Sequence, residues 1–151
     1  MLTYKRLQRP SQVLQLWPFF LTGLRSVALK SGEVLDEEVL QKTICYDAAD
    51  HNHSFIAVGY INGHPSAFGV FEECTPRFVK SRSFVTRVFY HQSGERGLSV
   101  GLVQFFETWA KQQGVRWHIV STRRKSGSAI KLFTGPKYNF KQSSLVFEKE
   151  L

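Results

Sequence analysis

The sequence predicts a mixed α/β protein of the α+β type: one mixed central β-sheet with an antiparallel meander, flanked by about four helices. Three observations predict it. A strong two-residue turn, Asn62-Gly63, joins two runs of strand character, and a third run follows Thr75-Pro76, which makes a meander. A glycine-bearing loop then opens a long amphipathic stretch, Leu98 to Gln113, and strand character resumes at Val115, so a strand–helix–strand unit succeeds the meander. The chain of 151 residues, 42% hydrophobic and 14% aromatic, is long and apolar enough for one folded domain, residues 1–151, with no linker, repeat or low-complexity tract.

Each element has its own local reason. Thr3–Leu7 alternates as a short first strand. Pro10 and Ser11 open a helix, proline because a first turn needs no N–H and serine because its hydroxyl caps. Val13, Leu14, Leu16, Trp17, Phe20, Leu21 and Leu24 continue at helical spacing, with Pro18 kinking or splitting the segment and Ser31-Gly32 ending it. Asp36, Glu37 and Glu38 suit the positive end of a second helix, whose apolar face carries Val39, Leu40 and Ile44. Asp47 to His53 is polar and reads as a loop. Ser54–Ile61, Ser66–Glu73 and Ser83–His91 are the strands of the meander, and Gln92–Gly97 is the loop after it.

On the long helix, Leu102, Val103, Phe106, Trp109 and Ala110 form one apolar face, and Gly114 is its stop signal. Val115–Thr122 reads as a central strand. Ser126 or Ser128 caps a short helix through Phe133, ended by Gly135-Pro136, and Tyr138–Phe140 with Ser144–Glu150 closes the chain as strand material.

Charge and composition narrow the function. A net charge of +8 concentrates anions near the surface, as a polyphosphate ligand or a nucleic acid requires. The basic residues are scattered, without a stripe of interleaved aromatics, which argues against nucleic acid. Cys45 and Cys74 form no CxxC spacing, and His51, His53 and His118 no metal-ligand spacing, so these read as structural or surface residues and no metal is expected. The apolar run Leu14–Leu24 carries Gln15 and Pro18 and falls short of the roughly 20 residues that span a bilayer. Lys5, Arg6 and Arg9 precede no signal-like apolar stretch, so a soluble, cytoplasmic protein is expected. Leu145-Val146-Phe147 is a candidate edge for pairing with a second copy.

The stretch Glu95-Arg96-Gly97-Leu98-Ser99-Val100-Gly101, between strand and helix, carries the chemistry. A helix start leaves N–H groups unpaired at a positive dipole end, where phosphate oxygens bind. Glycines let a ligand approach the backbone, and Arg96 adds a charge suited to phosphate.

Arg96 to Gly101 resembles the Arg/Gln-x-x-Gly-x-Gly/Ala turn of the GNAT superfamily of N-acetyltransferases. Glu107-Thr108-Trp109-Ala110 with Gly114-Val115 is similar to that family's E-x-W-A-x-x-x-G-V helix ending. Ser126 to Phe133, with Ala129, Ile130 and Leu132, resembles its N-x-x-A-I-x-L-Y helix, and Tyr138-Asn139-Phe140 stands where G-F begins the next strand. The resemblance implies a GNAT fold along the whole chain and direct acetyl transfer from acetyl-CoA to an amine of a protein or small molecule. It places Arg96, Gly97, Leu98, Ser99, Val100 and Gly101 at the pyrophosphate and Phe89, Tyr90 and His91 along the pantetheine arm. It also places Ser126 and Phe133 on the following helix, beside the cofactor, and Arg123, Arg124 or Lys125 near the adenosine phosphate.

Two departures bear on catalysis. Ser99 replaces the first glycine of the turn, and Phe133 replaces the Tyr that in relatives protonates the departing thiolate, leaving Tyr138 as the substitute acid. An attacking ammonium must first lose a proton, and Glu72, Glu73 and His91 are the candidate bases. Phe133 and Ser99 also leave open a second reading, a GNAT-fold protein without turnover that serves in binding or assembly. The short, divergent chain is similar in this to phage-encoded members of the family, for which a virion or host-interaction role is conceivable.

Overall fold

In the computed structural model the chain falls into two compact units, Met1–Ser121 and Thr122–Leu151, and residues 1–32, 34–92, 94–121, 133–142 and 149 are described. The first unit runs β1 (Leu2–Leu7), α1 (Pro10–Gln15), α2 (Trp17–Ser31), α3 (Glu37–Ala49), β2 (Ser54–Ile61), β3 (His64–Glu73), β4 (Arg82–His91), α4 (Leu98–Gln112) and β5 (Val115–Ile119). The strands form one mixed sheet in the order β1-β2-β3-β4-β5, antiparallel at the first three pairings and parallel at the last. This is the α+β architecture expected from the sequence.

The hairpin follows from two residues. Asn62 and Gly63 both adopt left-handed backbone (φ 50° and 82°), as a tight two-residue hairpin requires, and Ile61 pairs with His64 across them. The strand after it begins at His64, earlier than the expected Ser66. Pro18 lies in the first turn of α2, and the helical segment is split in two at Leu16. Gly32, at φ 73°, ends α2 in a left-handed cap.

Three local expectations are corrected. The residue before α1 is Arg9, not Ser11, and Gln12 Oε1 caps that helix by accepting from the N–H groups of Gln8 (2.8 Å) and Arg9 (3.1 Å). Residues Asp47–Ala49, expected in a loop, continue α3, because Asp47 and Ala48 face the sheet and are buried. The last described strand stops at Ile119, short of the expected Thr122.

Alternation along the strands sends side chains to two cores. Ile56, Val58, Phe68 and Val70 join Val13, Phe20, Leu24 and Ile44 beneath α1, α2 and α3. Phe55, Ala57, Phe71 and Phe84 join Leu98, Leu102, Phe106 and Ala110 beneath α4. Burial on both faces explains why β2 reads as a nearly continuous apolar run. In the second unit the described residues form a small cluster of their own, with the Phe133 ring 5.7 Å from Tyr138 and 6.0 Å from Phe140.

Candidate active site

Strand β4 is the key to the site. It pairs with β5 from Arg82–Val115 to Val85–Ile119 and no further, yet stays paired with β3 up to Ala67–His91. From Thr86 to Tyr90 its other edge therefore has no strand partner among the described residues. The parallel pairing ends at a vertex, Val85 and Ile119, where β5 also ends, and the stretch of β4 that runs on beyond it is termed the fork. Backbone N–H and C=O groups along such an edge accept the amides of an extended ligand as they would another strand. At the vertex the register also slips. Thr86 pairs with Phe71 and Val88 with Val70, so Arg87 is the extra residue of a β-bulge.

The start of α4 lies at the open end of this fork. Tyr4, Gly59, Ala67 and His91 occupy one row across the sheet, and the buried Leu98 packs directly on Gly59 of that row. Gly97 is the residue before the helix, at φ 88°, a backbone that favours glycine. Leu98 N–H donates to Glu95 O at 3.3 Å and Gly101 N–H to Gly97 O at 2.8 Å. The N–H groups of Ser99 and Val100 have no acceptor among the described residues. No acidic residue occupies the first turn, and Arg96 beside it is exposed. The helix start is thus electropositive, with two donors to give. Gly101 has a packing reason of its own: a Cβ there would collide with the Tyr4 ring and hydroxyl.

On the α4 face of the vertex, three polar side chains from three elements meet. Thr86 Oγ1 on β4 lies 2.7 Å from His118 Nε2 on β5, and His118 Nδ1 lies 2.8 Å from Glu107 Oε1 on α4. The His118 side chain is 9% exposed and stands edge-on to Phe71 and Phe106, at 5.7 and 5.0 Å between ring centres. Sequence reading had classed His118 as structural or surface. The available signal was weak: Thr86 stands two residues beyond the core Phe84 on β4, and His118 three beyond Val115 on β5.

The other candidates are dispersed. Glu73 is held by Arg82 Nε (2.9 and 3.3 Å) at the paired end of β4, away from the open edge. Glu72 pairs with Val85 at the vertex, on the opposite face, and bonds Arg87 Nε at 2.6 Å. Near it on α3, Asp47 is 7% exposed, and burial followed by the Glu72 charge pushes its carboxyl up to about 6. Phe89 packs toward α4, Tyr90 toward α1–α3, and His91 is exposed at the mouth. Phe133 and Tyr138 belong to the second unit, while Ser126, Arg123, Arg124 and Lys125 lie outside the described residues. Shallow depressions elsewhere, one beside Arg25 and Leu35 and one beside Arg6 and Trp109, do not include the fork residues. No group of metal-ligating side chains occurs among the described residues, and none of their helices is long and apolar enough to cross a membrane.

No family model and no curated protein matches the sequence. Solved structures do match it in shape. The chain is similar to a possible acetyltransferase from Clostridium difficile 630, with a TM-score of 0.76 and 12% identity over 100% of this chain and 98% of that one. It is similar to a predicted acetyltransferase from Clostridium acetobutylicum with acetyl-CoA, with a TM-score of 0.73 and 14% identity over 99% and 96% of the two chains. A GNAT family acetyltransferase from Staphylococcus aureus matches with a TM-score of 0.66 and 12% identity over 99% and 98%. This likeness in shape to acetyltransferases over nearly the full length gives the chain the GNAT acetyltransferase fold.

Proposed function

We propose that the protein is an acetyl-CoA-dependent N-acetyltransferase that moves the acetyl group directly to an amine of a protein or small molecule. The observation that carries this reading is the fork: among the described residues the β4 edge from Thr86 to Tyr90 has no strand partner, and it runs toward a helix start where the Ser99 and Val100 N–H groups have no acceptor. A pantetheine arm carries two amides, which suit such an edge, and a pyrophosphate suits the Ser99 and Val100 donors beside Arg96. The residues present therefore fit acetyl-CoA. Catalysis would rest mainly on positioning and on backbone donors at the vertex, where the Arg87 bulge re-aims the chain. Among the sequence candidates for the base, Glu72 at the vertex and His91 at the mouth lie nearer the open edge than Glu73. The +8 charge favours an acidic peptide or protein as acceptor. The likeness running through 99–100% of the chain supports one working domain, residues 1–151.

Isothermal titration of acetyl-CoA into the wild type, Arg96→Ala and Ser99→Asp tests this. An aspartate in a first helical turn suits the helix dipole, so Ser99→Asp should fold while its charge repels pyrophosphate. The expected result is binding by the wild type and a loss of about tenfold or more in Ser99→Asp. A folded wild type that gives no heat with acetyl-CoA overturns the reading and leaves a protein of this fold that serves in binding or assembly.

A further inference from the structure

The three side chains at the vertex have a directional order that chemistry makes explicit. An ionised Glu107 only accepts hydrogen bonds, so His118 Nδ1 carries the proton between them at 2.8 Å. In the neutral ring Nε2 is then a bare acceptor, and the partner it faces at 2.7 Å is the Thr86 hydroxyl, which donates to it. This leaves the Thr86 oxygen lone pairs able to receive a proton. The order is that of a base whose second nitrogen is held by a third group. Thr86 is also the first residue of β4 beyond its last pairing with β5, and it sits beside the bulge.

We propose that Thr86, His118 and Glu107 form the proton relay for acyl transfer at the fork, an inference that rests on the acetyltransferase reading given above. As the amine nitrogen bonds to the thioester carbonyl carbon, an N–H proton passes to Thr86 Oγ1 while the hydroxyl proton passes to His118 Nε2. The C–S bond breaks, the thiolate takes a proton from Thr86 Oγ1, and the imidazolium Nε2–H refills that oxygen. Amine and thioester become amide and thiol, and the relay ends as it began. No further reactant is needed. Thr86 is the catalytic residue of this set; His118 and Glu107 act through it as positioning residues. The relay supplies both the base for the amine and the acid for the thiolate, in place of the separate candidates Glu72, His91 and Tyr138 that the sequence offers.

The test uses Thr86→Val, which keeps the shape and removes the hydroxyl, Thr86→Ser, which restores it, and His118→Gln. Each variant is first checked for its melting temperature and for acetyl-CoA binding by titration. Thiol release from acetyl-CoA is then followed with an acidic tetrapeptide bearing a free N-terminus, and separately with hydroxylamine. The relay predicts that Thr86→Val and His118→Gln lose about 100-fold or more in kcat with KM for acetyl-CoA within about threefold, and that Thr86→Ser recovers most of it. A structural role for these hydrogen bonds would lower the melting temperature without that split and without serine rescue. Thr86→Val that binds acetyl-CoA and turns over within about twofold of the wild type overturns the relay and leaves the acetyltransferase reading standing. A wild type that binds acetyl-CoA but releases no thiol to either acceptor also overturns the relay. A wild type that binds no acetyl-CoA overturns the acetyltransferase reading, and the relay with it.

Discussion

Arg6 and Asp47 show how single residues in this fold depart from the roles their chemical type suggests. Arg6 lies over the adjoining Phe55 and Trp109 rings, 4.6 Å from each centre, and donates to the carbonyls of His51 (2.7 Å) and Ser54 (3.0 Å). Burial pushes its pKa down, and its buried Nε has no acceptor among the described residues. A planar guanidinium stacks and forks where an ammonium does not, so Arg6→Lys should cost about 1–2 kcal/mol, read as a shift in the urea midpoint. Asp47, raised from 3.8 to about 6 by burial and then by Glu72, holds its proton more tightly folded than unfolded. Its contribution to stability is therefore fully present below about pH 4 and is lost as pH rises through 6. On the order of 2–3 kcal/mol should disappear across that window, and Asp47→Asn should flatten the slope in urea unfolding from pH 4 to 7. Neither behaviour was legible in the sequence. Arg6 alternates there like any strand residue, and Asp47 reads as part of a polar loop, because burial depends on which partner faces the side chain.

At the scale of the element, α4 has two ends made by different physics. Its apolar face was legible from periodicity, and Leu102, Val103, Phe106 and Ala110 are indeed buried. Its start reads in the sequence as an anion-binding turn, and among the described residues the Ser99 and Val100 N–H groups there have no acceptor. Gly101 is different: the sequence pattern suggests ligand contact, whereas in the structure the Tyr4 ring fills the space beside its Cα. Gly101→Ala should therefore destabilise the protein by about 1–3 kcal/mol through overpacking, and Tyr4→Phe, which removes the nearest atom, should recover part of that loss. Thermal melts of the two single variants and the double variant check this. A glycine in a motif thus carries two meanings that only the neighbouring strand separates.

For the whole molecule, two aromatic cores hold the sheet from either face. In the α4 core, Phe71 and Phe106 stack with centres 4.0 Å apart and planes within 6°, and Phe106 also borders Phe55, Phe84 and His118. Phe106→Ala should cost about 3–5 kcal/mol and loosen the relay histidine with it, which the urea midpoint and thiol-release rate would report together. The +8 charge acts over the same scale: association with anionic acetyl-CoA should slow as salt rises from 20 to 300 mM, measured by stopped-flow. The sequence by itself determined the meander, its Asn62-Gly63 turn, the amphipathic α4 and the glycine-bearing start of that helix, since all of these depend on residues near one another in the chain. Tertiary structure alone decided where the pairing of β4 with β5 ends and that Thr86, Glu107 and His118 meet at the vertex. Pairing register and side-chain convergence join residues tens of positions apart, and no local pattern encodes them.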